Sequence, residues 1–173
     1  MSNFRERIIR AAKLDVSLYE EVEADKTAMG QAMGVVVLSS LAAGIGSASM
    51  GGRNFIVVTI AALVGWYIWA YLTYFIGTKL LAETQTKADH GELLRTIGFS
   101  SSPGLIRILG IIPGFTNLVF AVTGIWMLIA MVIAVRQALD YTSTLRAVGV
   151  CLIGWIIQSF LVGLLLLFAQ GGA

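Results

Sequence analysis

The chain has 173 residues, of which 57% are hydrophobic and 13% charged, against about a quarter charged in soluble domains. That is more apolar side chain than so small a soluble core can hide, so the bilayer is its natural solvent, and a net charge of +2 is too small to argue for nucleic acid. The single cysteine, Cys151, excludes an internal disulfide and, set in an apolar run, reads as a small hydrophobic side chain.

Residues 1–27 form a mixed-charge arm. The start, Met-Ser-Asn-Phe-Arg-Glu-Arg, has no apolar signal core, so the first hydrophobic run is expected to act as an uncleaved anchor. Phe4, Ile8, Ile9, Ala12 and Val16 recur near helical spacing. Ser17-Leu-Tyr-Glu20 has the form of a capping box and predicts a second short helix. The arm is therefore amphipathic. Its basic start suits anionic lipid headgroups, and its mixed charge equally suits a solvated arm packed on the protein's own loops.

The apolar runs beyond the arm predict an all-α membrane bundle over 28–173 with five transmembrane helices, the third of them broken. The first span, 28–50, is rich in small residues. Gly30 and Gly34 lie one turn apart and offer a face for close helix packing, either inside the chain or against a second copy. A polar turn over 51–54 leads to the second span, 55–76, with 22 residues and no charge. At about 1.5 Å per residue it covers a hydrocarbon core of about 30 Å. Trp66, Tyr67, Trp69, Tyr71 and Tyr74 read as an aromatic belt at one interface, with a stacking wall for a ring-shaped cofactor as the lesser reading. No cofactor is expected. The polar loop 77–92 holds Asp89, His90 and Glu92, which lack the ligand spacing of a metal site. No metal is expected.

The third apolar segment breaks at Ser100, Ser101 and Ser102. These offer N-cap oxygens, Pro103 fits the first helical position, and the pair Ile112-Pro113 stops the helix. A break of this kind turns a helix N-terminus inward, which makes the three serines and Arg107 candidate lipid or anion contacts. It also serves as a plain kink fitting a short crossing, and Arg107 can snorkel to the Pro113 turn. The fourth span, 115–135, leads to a connector in which Arg136 and Asp140 can pair and Thr142, Ser143 and Thr144 can cap a helix. The fifth span, 147–168, carries Gln158, expected to hydrogen-bond to a neighbouring helix.

Charge sets the expected orientation. Of the twelve Lys and Arg, five lie in the arm, three in 77–95 and two in the last connector, leaving Arg53 and Arg107. With five crossings this puts the N-terminus in the cytoplasm and the C-terminus outside. The spans hold no His, Asp or Glu. No nucleophile–base pair or carboxylate pair is available there, so no enzyme activity and no catalytic residue are expected.

Several runs carry a family resemblance: Glu21-Val-Glu-Ala-Asp25 before a Gly/Ala-rich span, Gly98-Phe-Ser-Ser-Ser-Pro103, Ile125-Trp126, Ala134-Val-Arg-Gln-Ala-Leu139, Thr142-Ser-Thr-Leu-Arg-Ala147 and Gly154-Trp155. On these the chain resembles the Yip1-domain family, in its compact prokaryotic form. The resemblance implies a five-span fold in a prokaryotic cytoplasmic membrane, with no established activity. Eukaryotic members carry an Asp-Leu-Tyr-Gly-Pro motif. Here Leu18-Tyr19 lacks the Gly-Pro, so their Rab-linked trafficking role does not carry over. The expected function is that of a non-enzymatic accessory or scaffold subunit of a membrane assembly, or of a membrane organiser. The alternative is a small channel, transporter or lipid-binding protein using the broken third helix. The expected partners are the lipid bilayer and other membrane subunits or a second copy, and not nucleic acid.

Overall fold

The computed structural model describes the backbone of residues 3–47 and 55–171, and their side chains apart from 55–58, 61 and 161–171. The expected turn over 51–54 lies outside the described residues. Helices account for all the regular structure described. In order they are α1 (Phe4–Ala12), α2 (Val16–Ala24), α3 (Met29–Gly46, entered through a 3₁₀ turn at Lys26–Ala28), α4 (Phe55–Phe75, ending in a π turn at Ile76–Leu80), α5 (His90–Ser100), a 3₁₀ helix (Ser102–Ile111), α6 (Thr116–Ala138) and α7 (Thr144–Gly171).

Local chemistry sets several of these starts. Asp15, not Ser17, caps α2, its carboxylate accepting from the Ser17 N–H at 3.0 Å. Asp89 and Glu92 form a reciprocal capping box at the start of α5, so the acidic run around His90 is a helix cap. The Glu83 carboxylate accepts from the Thr142 N–H at 3.0 Å and the Thr142 hydroxyl at 2.7 Å. It thus places an anion at the start of α7, where the free N–H groups and the helix dipole favour one. Arg136 does not pair with Asp140; its Nε donates to the Tyr141 carbonyl at 3.2 Å.

The five-span expectation is corrected. Among the described residues two helices, Lys26–Gly46 and Thr116–Ala138, are long and apolar enough to cross a bilayer, and Thr144–Phe160 is a shorter apolar helix. The third segment fails because it is two short pieces. α5 has 11 residues and carries Glu92 and Arg95, and the 3₁₀ helix adds 10 more, a long run for that geometry. The break falls at Ser101, as the triple serine predicts, but the helix beyond it is 3₁₀ and not α.

The arm also takes up bundle surface that the sequence pattern leaves for lipid. Leu18, Tyr19 and Val22 of α2 are fully buried with Ala32 and Val35 of α3, Phe99 of α5 and Ala134 of α6. Arg7, 3% exposed, reaches Glu21 at 2.9 Å, Asp25 at 2.7 Å and Gln31 at 2.9 Å, which ties α1 to α2 and α3. Arg95 of α5 donates to the carbonyls of Val22 at 2.8 Å and of Glu23. Gln137 of α6 donates to Glu20 at 2.8 Å. The Tyr141 hydroxyl lies 2.8 Å from the Gly77 carbonyl oxygen. Arm, loop and connector thus form one polar cap on one end of the bundle, and that cap contains most of the chain's basic residues.

Below the cap, backbone meets backbone. Ala32, Ser39 and Gly46 recur every seven residues along α3, close to two turns, and so make one stripe. They face Gly98, Gly104, Arg107 and Gly110. With three residues per 3₁₀ turn, the last three share one edge. A Cβ on Gly98 would come within 2.8 Å of the Ala32 Cβ, and one on Gly110 within 2.9 Å of the Gly46 carbonyl oxygen. A Cβ on Gly46 would overlap the Arg107 carbonyl oxygen. Gly30 and Gly34 do not lie in this seam. Gly30 has nothing within 4 Å, and Gly34 meets only the Phe4 ring of α1, at 3.5 Å.

This contrast predicts opposite signs for two small substitutions. Gly46→Ala should destabilise by about 1–3 kcal/mol through overpacking against backbone. Gly30→Ala should stabilise by roughly 0.5–1 kcal/mol through lost unfolded-state entropy. Denaturant unfolding of the detergent-solubilised protein measures both.

Candidate functional site

The seam brings Arg107 against Gly46, the last residue of α3. Its main chain lies against α3, while its side chain crosses to α6. The Arg107 Nε donates to the Thr123 hydroxyl at 3.2 Å, and Thr123 in turn donates to the Val119 carbonyl at 2.7 Å. The guanidinium carbon lies 5.3 Å from the centroid of the Phe120 ring, within cation–π range. Arg107 is therefore aimed at α6 and does not snorkel toward Pro113.

Two cavities, of 470 and 420 Å³, meet at this side chain. Both are lined by Arg107, Trp69, Met127, Met131 and Trp155, so they adjoin across these side chains as the two lobes of one site. The larger runs between α6 and α7 past Leu128, Val132, Val148 and Leu152. The smaller turns toward α3 and α4 past Ser39, Ser40, Ser101 and Gln158. Among the described residues no carboxylate lines either lobe. The volumes are those of ligand sites.

The serines behave differently from expectation. Ser100 and Ser102 donate to the carbonyls of Ile97 and Phe99, both at 2.7 Å. They close the end of α5 and do not cap the 3₁₀ helix. Ser100 lines the larger lobe and Ser101 the smaller one. Gln158 also lines the smaller lobe and makes no hydrogen bond among the described residues.

The aromatic residues of α4 divide three ways. Trp66 Nε1 donates to the Leu94 carbonyl at 3.1 Å. Tyr67, Tyr71 and Tyr74 set their rings edge-on around His90, with centroids 5.0, 5.8 and 6.3 Å away. Trp69 packs its ring against Gly154 of α7, where an added Cβ would come within 3.2 Å. Only 7% exposed, Trp69 leaves its indole N–H without an acceptor, a loss of about 1–3 kcal/mol for a buried donor. Sequence reasoning placed Trp69 only in the aromatic belt and its lesser reading as a stacking wall, and did not single out Thr123 or Gly154 as parts of a site. The one available signal was Gly154, small enough to admit a large ring from another helix.

No group of three or more His, Cys, Asp or Glu that could hold a metal occurs among the described residues. The Yip1 domain model matches residues 22–167. The chain belongs to the Yip1 family. This Yip1-family protein is a helical, membrane-associated one. The match begins inside α2 and takes in the seam, the cavity residues and most of the polar cap. No curated protein and no solved structure matches the chain.

The cap holds a third, polar cleft of 660 Å³, lined by Glu20, Glu23, Gln85, Gln137, Asp140 and Tyr141 among others. Burial, and then the charges of Glu92, Asp140 and Glu20, push the Glu23 carboxyl up to about 7. Asp25 is held down at about 2 by the Thr27 hydroxyl and the Arg7 guanidinium. Glu83 is held at about 2 by the N–H and hydroxyl of Thr142. In the folded protein Glu23 keeps a proton that the unfolded chain releases near ~4.3. Its contribution to stability is full below that value and is lost as pH rises through about 7. Asp25 and Glu83 act in the opposite sense, losing their contribution as pH falls from about 4 toward 2.

The thermal midpoint of this Yip1-family protein in detergent should therefore peak near about pH 5 and fall toward pH ~7.5. Glu23→Gln should raise the midpoint at the upper end and flatten that limb, leaving the acid limb in place. A Glu23→Gln profile parallel to wild type throughout would show that Glu23 does not titrate in this window.

Proposed function

We propose that this Yip1-family protein acts by contact within the membrane, as an accessory or scaffold subunit of a larger assembly or as an organiser of the lipid around it. The observation that supports this reading is the division of its surface. The polar side chains of the arm, loop and connector are engaged with one another in the cap. The flanks of α6 and α7 present large apolar side chains outward, among them Leu118, Ile125, Ile129, Leu152, Ile156 and Phe160. Large apolar side chains turned outward in this number suit lipid or the flank of another membrane protein. In this reading the arm, residues 1–27, caps a membrane bundle that starts at 28. The cap, rich in Lys and Arg, faces the cytoplasm of a prokaryotic cell and the far end of α7 lies on the other side.

A specific observation favours a second reading, as a small lipid-binding protein, channel or transporter. A lone guanidinium at the junction of two lobes is a feature such proteins place on a ligand path. Flux through reconstituted protein that disappears with Arg107→Ala would support transport.

Native purification in a mild detergent from its own membrane, followed by cross-linking and identification of the proteins that travel with it, tests the contact role. Stoichiometric recovery of a second membrane protein or of a second copy is the expected result. A monomer that carries no protein partner, before and after cross-linking in the intact membrane, would contradict it.

A further inference from the structure

We propose that the cavity around Arg107 binds an acidic phospholipid drawn from the surrounding bilayer, its phosphate held by Arg107 and Trp69 and an acyl chain lying in the larger lobe. The assignment is independent of any protein partner.

Two of the side chains that meet there, Arg107 and Trp69, carry donors only. Arg107 uses its Nε on Thr123, and neither Nη atom has an acceptor among the described residues. These two N–H edges form the fork that takes two oxygens of one phosphate. Trp69 also lines both lobes, and its buried indole N–H is a second donor without an acceptor among the described residues. The two donors come from different elements, α4 and the 3₁₀ helix, and are held independently: Trp69 by its packing on Gly154, Arg107 by the seam with Gly46. An acceptor-only, negatively charged group is what each of these two donors lacks. A zwitterionic head would bring a second cation to a space that already holds one and that, among the described residues, no carboxylate lines.

The shape favours a lipid over a free anion. Apart from Arg107 and Ser100, the larger lobe is lined by apolar side chains. Two of them, Leu152 at 54% and Trp155 at 53% exposure, put its mouth on the outer flank of α7, where acyl chains lie. Thr123 is seven residues into α6, so the guanidinium sits about 10 Å along that helix from its Thr116 end. A headgroup at that level leaves its chain to run along α6 and α7 past Met131 and Val132.

The test uses the full chain in nanodiscs and native mass spectrometry of retained lipid, with phosphatidylglycerol, phosphatidylcholine and inorganic phosphate as probes. Wild type should retain phosphatidylglycerol at least tenfold over phosphatidylcholine, and inorganic phosphate should not displace it. Arg107→Gln should bring the two lipids within about twofold of each other, and Arg107→Lys should keep a preference for the acidic one. Trp69→Phe keeps the ring and removes the N–H, and should weaken retention several-fold. Equal retention of both lipids by wild type would overturn the proposal. So would displacement by phosphate, or Arg107→Gln with its preference intact. Should Arg107→Gln fail to fold, the wild-type preference and the Trp69→Phe variant decide the matter alone.

Discussion

The close approach of α3 to residues 98–110 is the contact on which the rest of the molecule depends. Two chains of main-chain atoms lie side by side with almost no side chain between them, and only glycine and other small residues permit that. Because the 3₁₀ helix repeats every three residues, the edge that carries Gly104 and Gly110 also carries Arg107. The Arg107 main chain is therefore pinned to α3, and its side chain has one way to go, across to Thr123. A charged group that would otherwise swing toward the Pro113 turn is instead fixed among apolar neighbours. The cavity lies beside the same contact, with Arg107 lining both lobes.

The polar cap is the second organising feature, and it explains why run length overstates the number of spans. An apolar residue needs only to leave water, and a helix of the same protein serves as well as lipid. Leu93 and Ile97 of α5 are buried by the bundle, and Phe99 is covered by α2. A segment that reads as membrane-spanning is in part an interior element roofed by the arm. Arg7 and Arg95 hold that roof down. Each donates to several oxygens of the arm or its neighbours, so neither is a buried charge without compensation.

Much of this was readable from the residues. The helical runs, the break at the serines and the singular position of Arg107 all come from hydropathy, proline placement and charge. The rest was hidden for physical reasons. Glycine spacing along one helix says which residues share a face, but not which face the partner chooses. Gly30 and Gly34 match a packing motif and stay outside the seam, whereas Gly46 and Gly104 match no motif and lie within it. The 3₁₀ geometry of Ser102–Ile111 leaves no distinct apolar period in so short a stretch. Trp69 is indistinguishable in sequence from the other aromatics of α4. Its burial, and the lack of an acceptor at its N–H, depend on Gly154, 85 positions away.

The seam can be measured directly by cross-linking. The Ser39 Cβ lies 3.3 Å from the position a Cβ on Gly104 would take, close to the 3.5–4.5 Å that a disulfide needs. In a Cys151→Ser background, Ser39→Cys with Gly104→Cys should cross-link rapidly under mild oxidation in membranes, and Ser40→Cys with Gly104→Cys should not. Slow or absent cross-linking of the first pair, or equal rates for the two pairs, would contradict the backbone contact between α3 and the 3₁₀ helix and the placing of Arg107 that depends on it.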